Sequence, residues 1–137
     1  MGLDRECAGS ALPKVAAVIN WFGITDVYDV IEGPNAANAA KQWFGSMPNR
    51  EEIARRVSPL TYVRAGLAPI LTIHGDADPV VPYQQAVRLH QALAKVDVPN
   101  QLLTIPGGRH GGFTPDERTR IYVAVREFLS RNGLGAK

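Results

Sequence analysis

The chain has 137 residues, 45% of them hydrophobic and 20% charged, which suits a single domain over residues 1–137 with one core. Its net charge is +2, with no basic run denser than Arg55-Arg56 and no aromatic platforms interleaved with Lys or Arg, so nucleic acid is not an expected partner. No apolar run approaches the roughly 18 residues of a membrane span, and the single cysteine, Cys7, excludes an internal disulfide and a cysteine-built metal site.

Residues 1–14 read as a poorly ordered N-terminal segment, in which Asp4, Arg5 and Glu6 stand where a signal peptide needs an apolar stretch and Cys7 has no activating motif around it. Residues 15–22, Val-Ala-Ala-Val-Ile-Asn-Trp-Phe, form a nearly continuous apolar run ended by Gly23, which predicts a strand buried on both faces. Residues 23–34 read as loop. A helix is expected from Asn35 or Ala36 to Phe44, stopped by Gly45. A second is expected from Asn49, as N-cap, to about Val57, ended by Ser58-Pro59.

Pro69 leads into a short buried strand, Ile70–Ile73. Pro82 suits the first turn of a helix whose apolar stripe is Ala86, Leu89, Leu93 and Val96. Residues 101–105 predict a third strand. Thr114-Pro115-Asp116-Glu117 is a capping box opening a last helix, with Ile121, Val125, Phe128 and Leu129 facing inward and Asn132-Gly133 closing it. Strands alternating with helices imply an α/β fold with a parallel sheet of three strands. Ligands of such sheets bind at the carboxyl ends of the strands.

Two loops fall at such ends: His74-Gly75-Asp76-Ala77-Asp78-Pro79-Val80-Val81-Pro82 and Gly107-Gly108-Arg109-His110-Gly111-Gly112-Phe113. A histidine is suited to take a proton near neutral pH, and a carboxylate on its other ring nitrogen fixes the tautomer. Asp78 and His110 are the candidate catalytic acid and base, and the glycines around His110 let the backbone turn sharply. Asp76 reads as a loop acid bonding the backbone. His74 reads as a strand-end residue fixing the loop, and His90 as half-exposed on a helix. Trp21, Trp43 and Phe44 read as core or cleft wall. The three histidines lack metal-ligand spacing, so no metal is expected.

Residues 69–82 together with 107–113 resemble the C-terminal part of an α/β-hydrolase, closest to its feruloyl-esterase-like carboxylesterase and prolyl-oligopeptidase-like branches. In that pattern the triad acid lies three residues after the strand-end His-Gly, which matches Asp78, and the triad histidine lies in a Gly-x-x-His setting, which matches Gly107 to His110. Asp26 matches the place where some α/β-hydrolases carry the acid, and is the weaker candidate. The resemblance extends through Ser58-Pro59-Leu60 and Asn20-Trp21-Phe22-Gly23 and implies that the three strands are the last three of the family sheet.

It also implies a serine esterase that needs no cofactor and acts on a small-molecule or polysaccharide-linked ester. A serine peptidase of the prolyl-oligopeptidase type would use the same triad. The chain departs from the family in lacking Gly-x-Ser-x-Gly, since none of Ser10, Ser46, Ser58 and Ser130 lies in that motif, and the oxyanion-hole loop is missing too. The alternative reading is a catalytically incompetent truncated fragment with a structural role, self-associating as a homodimer through the sheet edge left open by its first strand.

Overall fold

The computed structural model describes residues 14–45 and 47–135, so the order expected of the N-terminal segment, and the surroundings of Cys7, Ser10 and Ser46, lie outside the described residues. Its elements, in chain order, are β1 (Val18–Trp21), α1 (Val27–Ile31), α2 (Asn38–Phe44), α3 (Arg50–Arg56), a 3₁₀ turn (Pro59–Tyr62), β2 (Ile70–Gly75), α4 (Gln84–Ala94), β3 (Asn100–Ile105) and α5 (Pro115–Arg131). The three strands form one parallel sheet in the order β1-β2-β3, with Val18 opposite Ile70 and Ile70 opposite Asn100. This is the expected α/β arrangement.

Alternation along the strands sends successive side chains to opposite faces. Leu71, Ile73 and Ile105 join Ile121 and Phe128 of α5 in one core cluster, with Ile19 and Trp21 packed against it. Ile70 faces the other way, against a cluster containing Leu89 and Leu93 of α4 and Val98. The sheet is therefore sandwiched between α4 and α5. A third, smaller cluster of Val30, Ile31, Ala40 and Ala54 binds α1, α2 and α3 to one another.

The last helix begins and ends as its sequence requires. Thr114 and Glu117 make the reciprocal capping box, and Pro115 occupies the first turn. At the other end Gly133 is left-handed (φ 75°), and the Leu134 amide donates to the Leu129 carbonyl. That pairing satisfies carbonyls the helix would otherwise leave open.

Several expectations need correction. The first strand is shorter than the 15–22 run and is not buried on both faces: Val18 is 38% exposed, because β1 is an edge of the sheet. Residues 23–34 are not all loop. Asp26 accepts from the Asp29 amide and starts the five-residue α1. Asn49 occupies the N-cap position of α3 but makes no side-chain cap bond. Pro82 lies just before Tyr83, the N-cap of α4, rather than inside the helix. His90 is buried, because its Nδ1 finds Asn100 Oδ1 at 2.9 Å. Trp43 is 68% exposed and belongs to no core.

Candidate functional site

The carboxyl ends of β2 and β3 lie side by side, and the two loops that follow them interlock. The Asp76 amide donates to the Ile105 carbonyl and the Ala77 amide to the Gly108 carbonyl, at 3.2 and 3.1 Å. The Asp76 carboxylate accepts from the Gly107 amide at 2.7 Å, so this acid serves the backbone as expected. Gly75 permits the approach: a Cβ there would lie 2.1 Å from the Gly108 oxygen. The second loop then folds sharply through Gly107, Gly111 and Gly112, all at positive φ (66°, 76° and 68°).

This interlocking brings together the two residues singled out from the sequence. His110 Nδ1 lies 2.8 Å from Asp78 Oδ2. The Asp78 side chain is fully shielded from solvent, whereas that of His110 is 33% exposed. The other carboxylate oxygen, Oδ1, accepts from the amides of Val80 and Val81 at 2.8 and 2.9 Å. Burial alone would raise the Asp78 carboxyl. The Val81 amide, the His110 ring, the Val80 amide and the charge of His110 together outweigh burial and hold it below its ordinary value. With Nδ1 engaged by the carboxylate, His110 has Nε2 left for proton exchange.

Other candidates are placed differently. His74 is buried, with Nε2 3.0 Å from the Val81 carbonyl, so it does fix the loop. Asp26 is not near His110's carboxylate partner in role: it caps α1 and pairs with Arg88 at 3.3 Å. Trp21 lies against Phe113 and Phe22. Ser58 is buried, donating to the Ala54 carbonyl and accepting from the Val27 amide. Ser130 sits near the end of α5, roughly 20 Å along the helix axis from the loop bearing His110. Among the described residues, no group of three or more His, Cys, Asp or Glu could hold a metal, and no helix is long and apolar enough to cross a membrane.

Sequence reasoning missed two features. Phe22, just past β1, has a positive φ of 39° and lays its ring 4.4 Å from the His110 ring, centroid to centroid. No local motif marks it, although a non-glycine residue in that conformation is uncommon and tends to occur where the surroundings impose it. The second is a polar cluster built on the buried Thr25, Asp29 and Gln85. Asp29 Oδ2 accepts from Asn35, Gln85 and Arg88 at 2.9, 2.8 and 2.6 Å. Gln85 Oε1 accepts from the amides of Thr25 and Asp26. This cluster ties the segment after β1 to α4.

Comparison with known proteins agrees with this architecture. The profile of the BD-FAE family matches residues 3–93, well over half of the chain and as far as α4, so it includes Asp78 but stops short of His110. Among solved structures, the apo form of Thermogutta terrifontis esterase 2 superposes with a TM-score of 0.68 at 25% identity, covering 90% of this chain and 44% of that one. Its butyrate-bound form gives a TM-score of 0.67 at 23% identity, covering 89% and 45%. Among curated proteins, the non-reducing polyketide synthase trt4 of Aspergillus terreus is 32% identical over 103 residues, which is 71% of this chain and 4% of that protein. The chain thus spans less than half the length of the esterases it resembles and a small fraction of the synthase. It belongs to the BD-FAE family of esterase-like α/β-hydrolases, and its three parallel strands with their flanking helices form part of that fold.

Proposed function

We propose that Asp78 and His110 are the acid and base of a Ser-His-Asp esterase, acting on carboxylic esters with short acyl groups. The observation that carries this reading is the 2.8 Å contact between His110 Nδ1 and the shielded Asp78 carboxylate. In the reaction, a serine hydroxyl attacks the ester carbonyl while His110 Nε2 takes its proton. The tetrahedral intermediate collapses, His110 returns the proton to the departing alkoxide, and an acyl-enzyme remains. Water, deprotonated by the same nitrogen, then attacks the acyl carbonyl, and the serine oxygen leaves, taking that proton back from His110 as the acid is released. Asp78 keeps the ring oriented and balances the imidazolium charge. Among the described residues, neither Ser58 nor Ser130 fits the nucleophile, which under this reading is a serine elsewhere in the hydrolase fold.

The butyrate bound to the Thermogutta esterase supports a short-chain probe. The chain is assayed on p-nitrophenyl butyrate, alone and together with an α/β-hydrolase half carrying Gly-x-Ser-x-Gly. Turnover is expected only in the pair. His110→Ala and Asp78→Ala should each lose it by roughly 10⁴-fold or more. Turnover that survives both substitutions refutes the assignment.

The second reading, a chain that acts structurally by self-association, is favoured by one observation. Strand β1 pairs with β2 only, among the described residues, and its outer edge is open. Under this reading the chain alone neither hydrolyses the ester nor takes a fluorophosphonate label.

A further inference from the structure

We infer that His74 is a positioning residue for Asp78, holding the carboxylate that orients His110. The inference rests on the Asp78–His110 assignment above and extends it by one residue. His74 lies on β2, fully buried, opposite Thr104 of β3. Its Nε2 faces two acceptors, the Val81 carbonyl at 3.0 Å and Asp78 Oδ2 at 3.3 Å. Its Nδ1 is buried without a hydrogen-bond partner among the described residues. Tyr83 stands edge-on to the ring, centroids 5.6 Å apart, and its hydroxyl bonds Thr104.

This arrangement selects one tautomer. A proton on Nε2 is donated to the Val81 carbonyl, with Asp78 Oδ2 3.3 Å from the same nitrogen. A proton on Nδ1 would be a buried donor without an acceptor, and would turn the Nε2 lone pair toward two oxygens. His74 therefore donates through Nε2. Val81 is consequently held twice, its amide on Asp78 Oδ1 and its carbonyl on His74. The turn from Asp78 to Val81 is thereby pinned to the strand, and with it the carboxylate that the Val81 amide holds. Oδ1 accepts from two backbone amides, and Oδ2 lies 2.8 Å from His110 Nδ1 and 3.3 Å from His74 Nε2. Without His74, Val81 loses the tie on its carbonyl, and the carboxylate that its amide holds is free to tilt.

Three NMR measurements test this on the full chain. In the unmodified protein, long-range proton–nitrogen spectra should show His74 protonated on Nε2, and the Nδ1–H tautomer overturns the inference. In His74→Leu, the Asp78 carboxyl midpoint should rise as the Val81 bond loosens, and the hydrogen-bonded Nδ1 proton of His110 should broaden or move upfield. His74→Gln, whose amide can donate to the same oxygens, should restore both signals most of the way. Should leucine prevent folding, His74→Asn, too short to span Val81 and Asp78, replaces it with the same expectation. Packing alone would leave both signals unmoved in the folded variant, and that result also overturns the inference. Asp78→Asn separates the two levels. A downfield His110 proton that persists there refutes the Asp78–His110 pairing itself, whereas its loss there, with no change in the His74 variant, refutes only the role of His74.

Discussion

Asp78 and His90 give the molecule a pH dependence whose sign follows from their surroundings. Both are held below their ordinary pKa. For Asp78, hydrogen bonds from Val81, His110 and Val80 overcome burial. For His90, burial lowers the value from 6.5 and the Asn100 bond recovers part of it. Between the folded and unfolded values of each group, the unfolded chain holds more protons, so stability falls as pH falls through that window. The His90 contribution is complete above about pH 6.5 and declines below it. The Asp78 contribution is lost lower, in the carboxylate range. Urea unfolding followed across pH should give a flat midpoint at neutral pH and two declines on acidification. His90→Gln should remove the upper decline and leave the lower one. A midpoint that rises on acidification contradicts both assignments. Gly75 makes a further prediction at this scale. Gly75→Ala forces a methyl against the Gly108 backbone, so the two loops must separate. The expected cost is about 1–3 kcal/mol, with loss of the downfield His110 proton.

At the scale of elements, α1 is anchored by chemistry rather than by length. A helix of five residues buries little surface, and its position depends on Asp29, which is 3% exposed and accepts from three side chains. Asp29→Ala removes the shared acceptor of Asn35, Gln85 and Arg88, leaving Gln85 the Asp26 carbonyl and Arg88 the Asp26 carboxylate. Unfolding should then be easier by about 1–3 kcal/mol. Arg88→Met, which leaves Asp29 its two neutral donors, should cost less. Equal costs would mean that the charge pair, not the whole cluster, holds the segment. This element also marks the limit of what the sequence discloses. Strands β2 and β3 and helices α4 and α5 are legible because each carries a local pattern: an apolar run, a 3.6-residue stripe, a capping box. Helix α1 has less than two turns and no periodic stripe. The burial of Gln85 and His90 depends on Thr25, Asp29 and Asn100, partners that no local window reveals. Of the candidate site, Asp78 and His110 are legible because two strand-end loops carry them, whereas Phe22 is not, because no local pattern marks its positive φ.

At the scale of the molecule, the continuous apolar run of the first strand would read as buried whether or not the sheet continued beyond it. Here it does not continue within the described residues. The Val18 amide donates to the Pro69 carbonyl, just before β2, and the Phe22 amide to the Ile73 carbonyl of β2. Alternation therefore turns the backbone groups of Ile19 and Trp21 to the open edge. Beside that edge, Val18, Tyr62, Val63, Leu67, Ile70 and Leu89 line an apolar groove. Val18 and Tyr62 are 38% and 54% exposed. An edge of this kind can be closed by a second copy about a two-fold axis, β1 against β1, which would join the two sheets into one. The isolated chain is therefore expected to be a concentration-dependent dimer by light scattering. Val18→Lys places a charge at the edge without disturbing the buried core and should shift the equilibrium toward monomer by at least about tenfold, a change of roughly 1.4 kcal/mol. The unfolding midpoint measured at low concentration, where the chain is monomeric, should barely move. A chain that stays monomeric as its concentration rises, or a dimer indifferent to Val18→Lys, would mean that the edge is not where the copies meet.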